Sequence, residues 1–198
     1  PIWDKTGRIF ATIQGMNNAR IADELDLMAD LLEFQGANPF RVRAYRTGAR
    51  VVRDLPTAVE SILDDENQRL TDYEGIGDDL AEKISLLSQT GTHPFLEELK
   101  AKVPQSVLQL LRIPGLGPKK AAVLFKQLSV TSLEELRAAC LAHSVQEIKG
   151  FGKKTEATIL AGIDQLATTE IRMYWAEADL IVQALLEHLR QVQSIEQL

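Results

Sequence analysis

A short glycine motif occurs three times in this chain of 198 residues, and it constrains the fold more than any other feature. Each copy places an apolar residue and a turn residue ahead of a Gly-apolar-Gly triplet, and a helical pattern follows. Because glycine adopts backbone conformations that other residues avoid, each triplet predicts a tight turn between two helices. We call the copies the first, second and third hairpins, and they are Tyr73–Gly77, Ile113–Gly117 and Ile148–Gly152.

The apolar residues recur at helical spacing along nearly the whole chain, and no segment alternates as a strand would. Gly36 ends one predicted helix, and Pro39 begins the next directly after the capping residue Asn38. Ser132, followed three residues later by Glu135, predicts a capping box at another helix start. We therefore predict an all-α fold that contains helix-hairpin-helix domains.

The net charge of −6 argues against a nucleic-acid partner, but the charges are unevenly distributed. Residues 34–53 contain five arginines and no acidic residue, whereas residues 54–99 contain two basic and twelve acidic residues. Residues 100–160 contain ten basic and four acidic residues. Because a DNA-binding footprint is a local basic surface, these two basic zones are compatible with DNA as the partner.

A Gly-x-Gly triplet before a helix can also mark a dinucleotide-binding loop, but that interpretation fails for the three hairpins. No strand precedes any copy, and the third glycine of such a loop is replaced by Leu80, Lys120 and Thr155. A helix-hairpin-helix unit fits better, because its turn presents free amide groups to a DNA phosphate without reading the base sequence. We therefore expect both glycines of each hairpin to contact DNA: Gly75, Gly77, Gly115, Gly117, Gly150 and Gly152.

Paired lysines follow the second and third hairpins. Lys119 and Lys120, like Lys153 and Lys154, lie in the first turn of the helix that the hairpin begins. Cations at this end oppose the helix dipole, so helix stability does not explain them, whereas attraction of a phosphate does. We add these four lysines to the predicted DNA contacts. The third copy also carries Glu156 where the first two carry alanine, which predicts looser or different packing.

The sequence gives little support to metal or thiol chemistry. Cys140 is the only cysteine, and we interpret it as a small buried side chain on a helix. His93, His143 and His188 are isolated from one another, which favours surface or packing roles over metal coordination.

We predict two helical domains, at 16–92 with the first hairpin and at 93–198 with the other two. The second domain includes a long amphipathic helix over 170–193. Residues 1–15 show no helical period and Met16 resembles a natural start, so we interpret 1–15 as a tag or an uncertain extension. We find no apolar run of membrane-spanning length and no secretory signal, and we expect a cytoplasmic protein without a membrane partner.

Three segments together resemble the family X, or polymerase beta-like, DNA polymerases. Asn38–Arg46, with Gly75–Gly77 and Ala81–Ile84, resembles their small N-terminal domain. Gly115–Pro118 resembles the hairpin of their fingers, and Gly150–Thr155 resembles the extra hairpin of bacterial members. The resemblance covers about residues 17–193. It implies SAM-like helical bundles similar to the polymerase beta N-terminal domain, and a role in base excision repair.

The resemblance also implies roles for residues that match the family's motifs. Arg41 and Tyr45 match positions that hold a 5′-phosphate, with Arg46 as a further DNA contact, and Lys83 matches a lysine that forms a Schiff base. Arg172 matches an arginine near the incoming nucleoside triphosphate. A monovalent cation, Na⁺ or K⁺, is expected to bridge the first two hairpins to DNA through the backbone carbonyls of Thr71, Tyr73 and Ile76, and of Leu111, Ile113 and Leu116.

The first hairpin departs from the family pattern. Asp79 stands where family members often carry a lysine, and Asp78 precedes it. A carboxylate four residues before Lys83 stabilises the charged amine by about 0.3–0.5 kcal/mol, whereas Schiff-base attack needs the neutral amine. We therefore expect weak or absent lyase activity, and a plainer interpretation makes Lys83 a surface lysine in an ion pair.

The palm of these polymerases begins with a Gly-Ser pair, and the chain contains no such pair. Two-metal phosphoryl transfer requires the carboxylates of the palm. We therefore expect Mg²⁺ or Mn²⁺ to bind only where a palm is present. Whether the chain itself is an enzyme stays open at this stage.

Three hypotheses of function follow. The leading one is a sequence-independent binding module that positions gapped or nicked DNA for a repair polymerase. The second is a lyase at 5′-deoxyribose-phosphate ends that uses Lys83. The third is a protein-interaction fragment that pairs through the 170–193 helix, and the oligomeric state is left open.

Overall fold

A computed structural model describes residues 16–168 and residue 182, and it confirms the all-α prediction. A single 3-10 turn at Leu70–Asp72 interrupts the α-helices of this part of the chain. None of the described helices is long and apolar enough to cross a membrane. The helices are α1 Asn18–Phe34, α2 Pro39–Asp54, α3 Val59–Asp64, α4 Asp78–Thr90, α5 Pro94–Ala101, α6 Gln105–Leu111, α7 Pro118–Leu128, α8 Leu133–Leu141 and α9, whose described part covers 153–168.

Three predictions concern segments that fall outside the described residues. They are the extension at 1–15, most of the amphipathic helix at 170–193, and the triphosphate contact at Arg172. The described residues divide into two units by their contacts. The first unit contains 16–108 and 118–123, and the second contains 109–117 and 124–168.

The first unit is built on the pairing of α1 with α2. Apolar side chains of both helices form its core, and ion pairs join the helices along one side. Arg46 contacts Asp30 at 2.8 Å and Glu33 at 2.9 Å. Arg53 contacts Asp23 at 2.9 Å and Asp26 at 3.0 Å. The fully buried side chains of this core include Ile21, Leu25, Met28, Leu31, Ala49 and Val52.

Two helical glycines allow close packing, one in each unit. A Cβ atom on Gly48 of α2 would lie 2.2 Å from Leu80 of α4, which shows how closely these helices cross. A Cβ atom on Gly162 of α9 would lie 2.5 Å from the carbonyl oxygen of Pro114. The second hairpin therefore rests on α9 through backbone contact, and this placement fixes its turn within the second unit.

Among the described helices, four begin with a side chain that accepts a backbone N–H hydrogen bond, as a good N-cap does. The predicted starts at Asn38 and Ser132 are confirmed, with distances of 2.9 Å to the Phe40 amide and 3.1 Å to the Glu135 amide. Asn17 caps α1 at 2.9 Å, and His93 caps α5 through its Nδ1 atom, 2.9 Å from the Phe95 amide nitrogen.

Candidate nucleic-acid interface

The three hairpins fold into the same turn. In each, the apolar residue between the glycines donates its amide N–H to the carbonyl three residues earlier, and the first glycine has a positive φ. This combination is a type II turn, which favours glycine at its third position and proline at its second, as at Pro114. The hydrogen bonds run from Ile76 to Tyr73 at 3.1 Å, from Leu116 to Ile113 at 3.0 Å and from Phe151 to Ile148 at 2.9 Å, and the φ angles are 98° at Gly75, 84° at Gly115 and 91° at Gly150.

The second glycine of each hairpin has a different setting. Gly77, Gly117 and Gly152 lack a positive φ, so an L side chain would meet no backbone strain there. A Cβ atom added at any of them would find no atom of the described residues within 4 Å, apart from those of its own chain neighbours. Because the fold itself accepts a side chain at these positions, a glycine there is best explained by an outside group that approaches the backbone closely.

The helices that start at the hairpins lack a side-chain cap. Gly77 is the N-cap of α4 and Gly117 is the N-cap of α7, and neither helix receives a cap hydrogen bond from a side chain. The Gly77 carbonyl accepts the amides of Leu80 and Ala81, whereas the earliest amides of a helix have no acceptor within it. These N–H groups lie at the positive end of the helix dipole and can bind an anion.

The charges around the hairpins differ from one copy to the next. Lys153 and Lys154 at the third hairpin are exposed, and within the described ranges neither has an acidic partner. Lys119 at the second hairpin is 80% exposed and lies 3.6 Å from Glu33. The first hairpin instead begins its helix with Asp78 and Asp79, which place negative charge where a phosphate would bind.

The six carbonyls expected to hold a monovalent cation all belong to described residues. The oxygens of Tyr73 and Ile113 accept the turn hydrogen bonds, and each carbonyl oxygen keeps a second lone pair. A Na⁺ or K⁺ ion at the first two hairpins is therefore compatible with the backbone and stays a proposal. Over the described ranges, no group of His, Cys, Asp and Glu side chains could hold a metal ion.

Lys83 lies in a cluster that the sequence did not reveal. Its Nζ atom is 2.5 Å from Asp79 Oδ1, 3.3 Å from the Asp79 carbonyl oxygen and 5.8 Å from the centre of the Phe95 ring. The ion pair with Asp79 was expected, but the interpretation of Lys83 as a surface lysine is wrong, since the residue is only 9% exposed. Burial follows because α4 turns this position towards the start of α5, where Phe95 lies.

The phosphate-binding candidates of α2 separate into two environments. The guanidinium carbon of Arg41 lies 4.8 Å from the centre of the Phe95 ring, and Tyr45 stacks on the same ring with centres 6.1 Å apart. Arg41 and Tyr45 thus share a cluster with Lys83, although the buried Tyr45 hydroxyl has no hydrogen-bond partner within the described structure. Arg46 is held by Asp30 and Glu33 on α1 instead.

Sequence reasoning missed Phe95 and His93 as members of this cluster. Burial lowers the pKa of the His93 imidazole, and the positive charge of Lys83 lowers it further, against the opposing charges of Glu82 and Asp79. The sequence signal that could have found His93 is its place directly before Pro94, which is typical of a helix N-cap.

Glu156 packs differently from the alanines at the same place in the first two hairpins. The side chain is buried, and its carboxylate lies 2.7 Å from His143 Nδ1 and accepts the Gln146 amide at 3.1 Å. Burial raises the pKa of the Cys140 thiol to about 11, with a contribution from the charge of Glu156. Cys140 is fully buried, which confirms its predicted packing role, and the carboxylate of Glu156 holds the turn that precedes the hairpin.

Comparisons with known proteins agree with this geometry. Residues 16–93 match the helix-hairpin-helix domain, and residues 107–165 match the SAM-like helix-hairpin-helix tandem. Over 176 residues the chain is 34% identical to the DNA polymerase/3′-5′ exonuclease PolX of Bacillus subtilis (strain 168). The chain is thus similar to this PolX over most of its own length. The resemblance seen in its motifs is therefore confirmed, and the aligned residues make up 89% of this chain but 30% of that relative.

Proposed function

We propose that this chain binds the DNA backbone without reading its sequence, and that it positions gapped or nicked DNA for a family X repair polymerase. The observation that carries the proposal is the second glycine of each hairpin, which the fold itself does not require. The two helix-hairpin-helix matches and the PolX homologue support DNA binding as well. The cytoplasm is the compartment that such a role in bacteria implies.

The chemistry of the hairpins suits a phosphate. A phosphate oxygen that approaches Gly117 meets uncapped amide groups at the positive end of a helix, next to paired lysines, and Gly152 likewise precedes a helix that begins with two lysines. Hydrogen bonds of an amide to a charged oxygen are stronger than those between neutral groups. Because every nucleotide carries the same phosphate, these contacts fix the position of the protein on DNA without selecting a base sequence.

The preference for a gapped or nicked duplex is the finer part of the proposal. Such a duplex offers a separate stretch of backbone on each side of the break. The chain has the first hairpin in one unit and the second and third in the other, so it carries at least one hairpin for each stretch. We expect a duplex with a one-nucleotide gap to bind more tightly than an intact duplex of the same sequence, in a titration by fluorescence anisotropy.

Replacing Gly117 with serine tests the role of the hairpin amides. The φ of −72° and ψ of 161° at Gly117 suit a serine N-cap, which would satisfy an amide of α7 from within the protein. We expect the stability of the folded chain to hold or to rise by a few tenths of a kcal/mol. The affinity for duplex DNA should fall about tenfold, the equivalent of about 1.4 kcal/mol, because serine competes with the phosphate.

Ser132→Gly is the matched control, since it removes a cap from α8, which does not follow a hairpin. This variant should lose a few tenths of a kcal/mol of stability and keep the affinity of the unmodified chain for DNA. If Gly117→Ser binds duplex DNA as tightly as the unmodified chain, the amides of the second hairpin do not contact DNA and the proposal fails for that hairpin.

A further inference from the structure

A buried carboxylate joins the end of α8 to the first turn of α9, within the second unit. Glu156 is 4% exposed, and its carboxylate accepts the Gln146 amide at 3.1 Å and lies 2.7 Å from His143 Nδ1. The amide of Glu156 donates to the Gly152 carbonyl at 3.1 Å, so Glu156 belongs to the helical turn that closes onto the third hairpin. Because helical side chains lean towards the N-terminus, the carboxylate and the His143 ring that it holds lie beside the start of α9.

The backbone at His143 favours glycine rather than a residue with a side chain. Its φ is 60°, its amide donates to the Cys140 carbonyl at 3.0 Å, and the next amide, of Ser144, donates to the Ala139 carbonyl at 3.0 Å. This pair of hydrogen bonds is a Schellman motif, in which the left-handed residue is usually glycine. A side chain is disfavoured there, and that of His143 is 69% exposed, so burial does not compensate for the strain. The histidine is therefore best explained by what its ring binds.

The first two hairpins show that the turn forms without a carboxylate at this place. They carry Ala81 and Ala121 where the third carries Glu156, and all three share the same type II turn. A buried carboxylate is costly unless it is paired, and its negative charge also competes with a phosphate for the positive end of α9. The third hairpin therefore favours a phosphate only if a cation lies between the phosphate and Glu156.

The imidazole of His143 can supply that cation. Because the carboxylate of Glu156 accepts, Nδ1 carries the proton that it donates, and none of the described residues forms a hydrogen bond with Nε2. While the ring is neutral, Nε2 presents a lone pair, which a phosphate oxygen avoids. Once the ring binds a second proton, Nε2 becomes an N–H donor and the ring becomes positively charged. Only the protonated ring can therefore bind a phosphate.

We propose that His143 contacts the DNA backbone at the third hairpin only when its ring is protonated, and that Glu156 is the residue that positions the ring. The inference rests on the proposed function and adds control by pH to it. The other titratable groups on the segments that form this site are Cys140 of α8, Glu147 and Lys149 before the hairpin, and Lys153 and Lys154 of α9. Among these residue types, histidine is the one that ordinarily changes charge between about pH 5 and 8, so the contact strengthens as the pH falls through that range.

The test is a titration of duplex DNA by fluorescence anisotropy at about pH 6 and about pH 8, at the same ionic strength. The probe is a blunt duplex with unphosphorylated ends, because a terminal phosphate titrates in this range as well. His143→Asn removes the titrating ring, while asparagine tolerates the left-handed backbone and can still donate to Glu156. Glu147→Gln is the matched control, since Glu147 is an exposed carboxylate of the same turn. Far-UV circular dichroism checks the fold of each variant.

We expect the unmodified chain to bind the duplex about fivefold more tightly at the lower pH, the effect of one exposed ion pair. The slope of log affinity against log salt should also be steeper there by about 0.9, because one more phosphate is neutralised. His143→Asn should lose both differences and bind within about twofold of the unmodified chain at the higher pH. Glu156→Ala should lose the response to pH although His143 is still present. Glu156→Gln should recover it, because its amide oxygen can accept from Nδ1, and Glu147→Gln should keep it.

Two results would overturn the proposal while duplex binding stands. One is an unmodified chain that binds the duplex equally well at both pH values, and the other is a response to pH that persists in full in His143→Asn. A full response in a folded Glu156→Ala variant would refute the positioning role of Glu156, and His143→Asn carries the test of the contact even if Glu156→Ala does not fold. An unmodified chain that fails to bind the duplex at either pH would instead refute the proposed function, so the two failures are distinguishable.

Discussion

Six helices of the described part begin in one of two ways, and the difference separates stability from binding. At α1, α2, α5 and α8 a side chain from Asn17, Asn38, His93 or Ser132 closes the first turn. At α4 and α7 a glycine occupies the same position and no side chain closes the turn. A glycine cap is less stabilising than serine or asparagine by a few tenths of a kcal/mol. The hairpins thus leave the amides open to a ligand at a small cost in stability.

The open helix starts also differ among themselves. All three hairpins share the type II turn, so the backbone that faces a phosphate is the same in each. The first places Asp78 and Asp79 at this point, whereas the third places Lys153 and Lys154 there. The turn therefore makes a phosphate contact possible, and the charge of the first helical turn determines whether the contact is favourable.

The largest expected loss of duplex binding is that of Gly115→Val. This substitution distorts the turn that leaves the first amides of α7 open to a ligand. Gly115 has φ of 84°, and a Cβ atom there would lie 2.6 Å from Thr158 Cγ2. A β-branched residue in this conformation costs on the order of 1–3 kcal/mol of strain. We expect a lower Tm and a loss of duplex binding greater than the tenfold loss in Gly117→Ser.

Gly150→Ala provides the milder comparison, since Gly150 has φ of 91° but nothing within 4 Å of an added Cβ atom. It should cost about 1–2 kcal/mol from the backbone conformation alone. Thermal unfolding and duplex titration of both variants give the ranking. Gly115→Val with unchanged duplex affinity would show that the turn of the second hairpin has no role in binding.

The next largest effect on duplex binding comes from two double variants, one at the third hairpin and one at the first, which should act in opposite directions. Replacing Lys153 and Lys154 together by alanine should flatten the slope of log affinity against log salt by about one or two, because each phosphate neutralised contributes about −0.9. Replacing Asp78 and Asp79 together by asparagine should raise duplex affinity, because it removes two negative charges beside the phosphate. Anisotropy titrations over a series of salt concentrations measure both.

If both double variants change affinity in the same direction, the contrast between the two hairpins has no electrostatic basis. An unchanged salt slope in the double lysine variant would place the third hairpin away from DNA, and the second hairpin would then be the remaining lysine-bearing contact.

A third prediction concerns the first hairpin as a possible lyase. Lys83 donates a hydrogen bond to Asp79 at 2.5 Å, while Arg41 shares the Phe95 ring with it. We expect little or no borohydride trapping on a 5′-deoxyribose-phosphate end, because the ion pair with Asp79 occupies the amine that would attack. Asp79→Lys should raise the trapped fraction by replacing the carboxylate with a cation.

Lys83→Ala is the control for any adduct that forms. Efficient trapping by the unmodified chain that disappears in Lys83→Ala would establish a lyase and refute this expectation. Trapping that persists in Lys83→Ala would assign the adduct to another amine.

Much of the fold was predictable because it depends on local signals. The helix starts at Asn38 and Ser132, the turn at each hairpin and the burial of Cys140 follow from residue type and spacing over a few positions. The hairpin glycines could be assigned to two roles only from the structure. Sequence shows where a glycine is, whereas φ and the surrounding space show whether the fold or a ligand requires it.

The parts that escaped prediction depend on contacts between distant segments. The burial of Lys83 needs the start of α5 to lie beside α4, and the ion pairs of Arg46 need α1 to run along α2. A run of arginines without acidic neighbours in sequence suggested a free basic face, but Arg46 and Arg53 find their partners on another helix. Spacing along the chain carries no information about such partners.

The smallest expected effect is the pH dependence of the α5 cap, which no hairpin start should share. His93 accepts the Phe95 amide through Nδ1, so protonation of that atom removes the cap. Burial lowers the pKa of His93 in the folded chain, and the charge of Lys83 adds to this. Between that lowered pKa and the unfolded value of about 6.5, the unfolded chain binds more protons, so stability rises with pH. The contribution is complete above about pH 6.5 and is lost as pH falls towards the folded pKa.

His93→Asn isolates this effect, because asparagine caps a helix well and does not titrate in this range. Urea unfolding at about pH 7.5 and pH 5.5, on either side of the histidine range, should show a larger loss of stability for the unmodified chain than for the variant. Carboxylates contribute equally to both proteins, so the difference between the two losses belongs to His93. Equal losses would show that the pKa of His93 does not change on folding, and the contrast between a titrating cap and a glycine cap would then have no measurable consequence for stability.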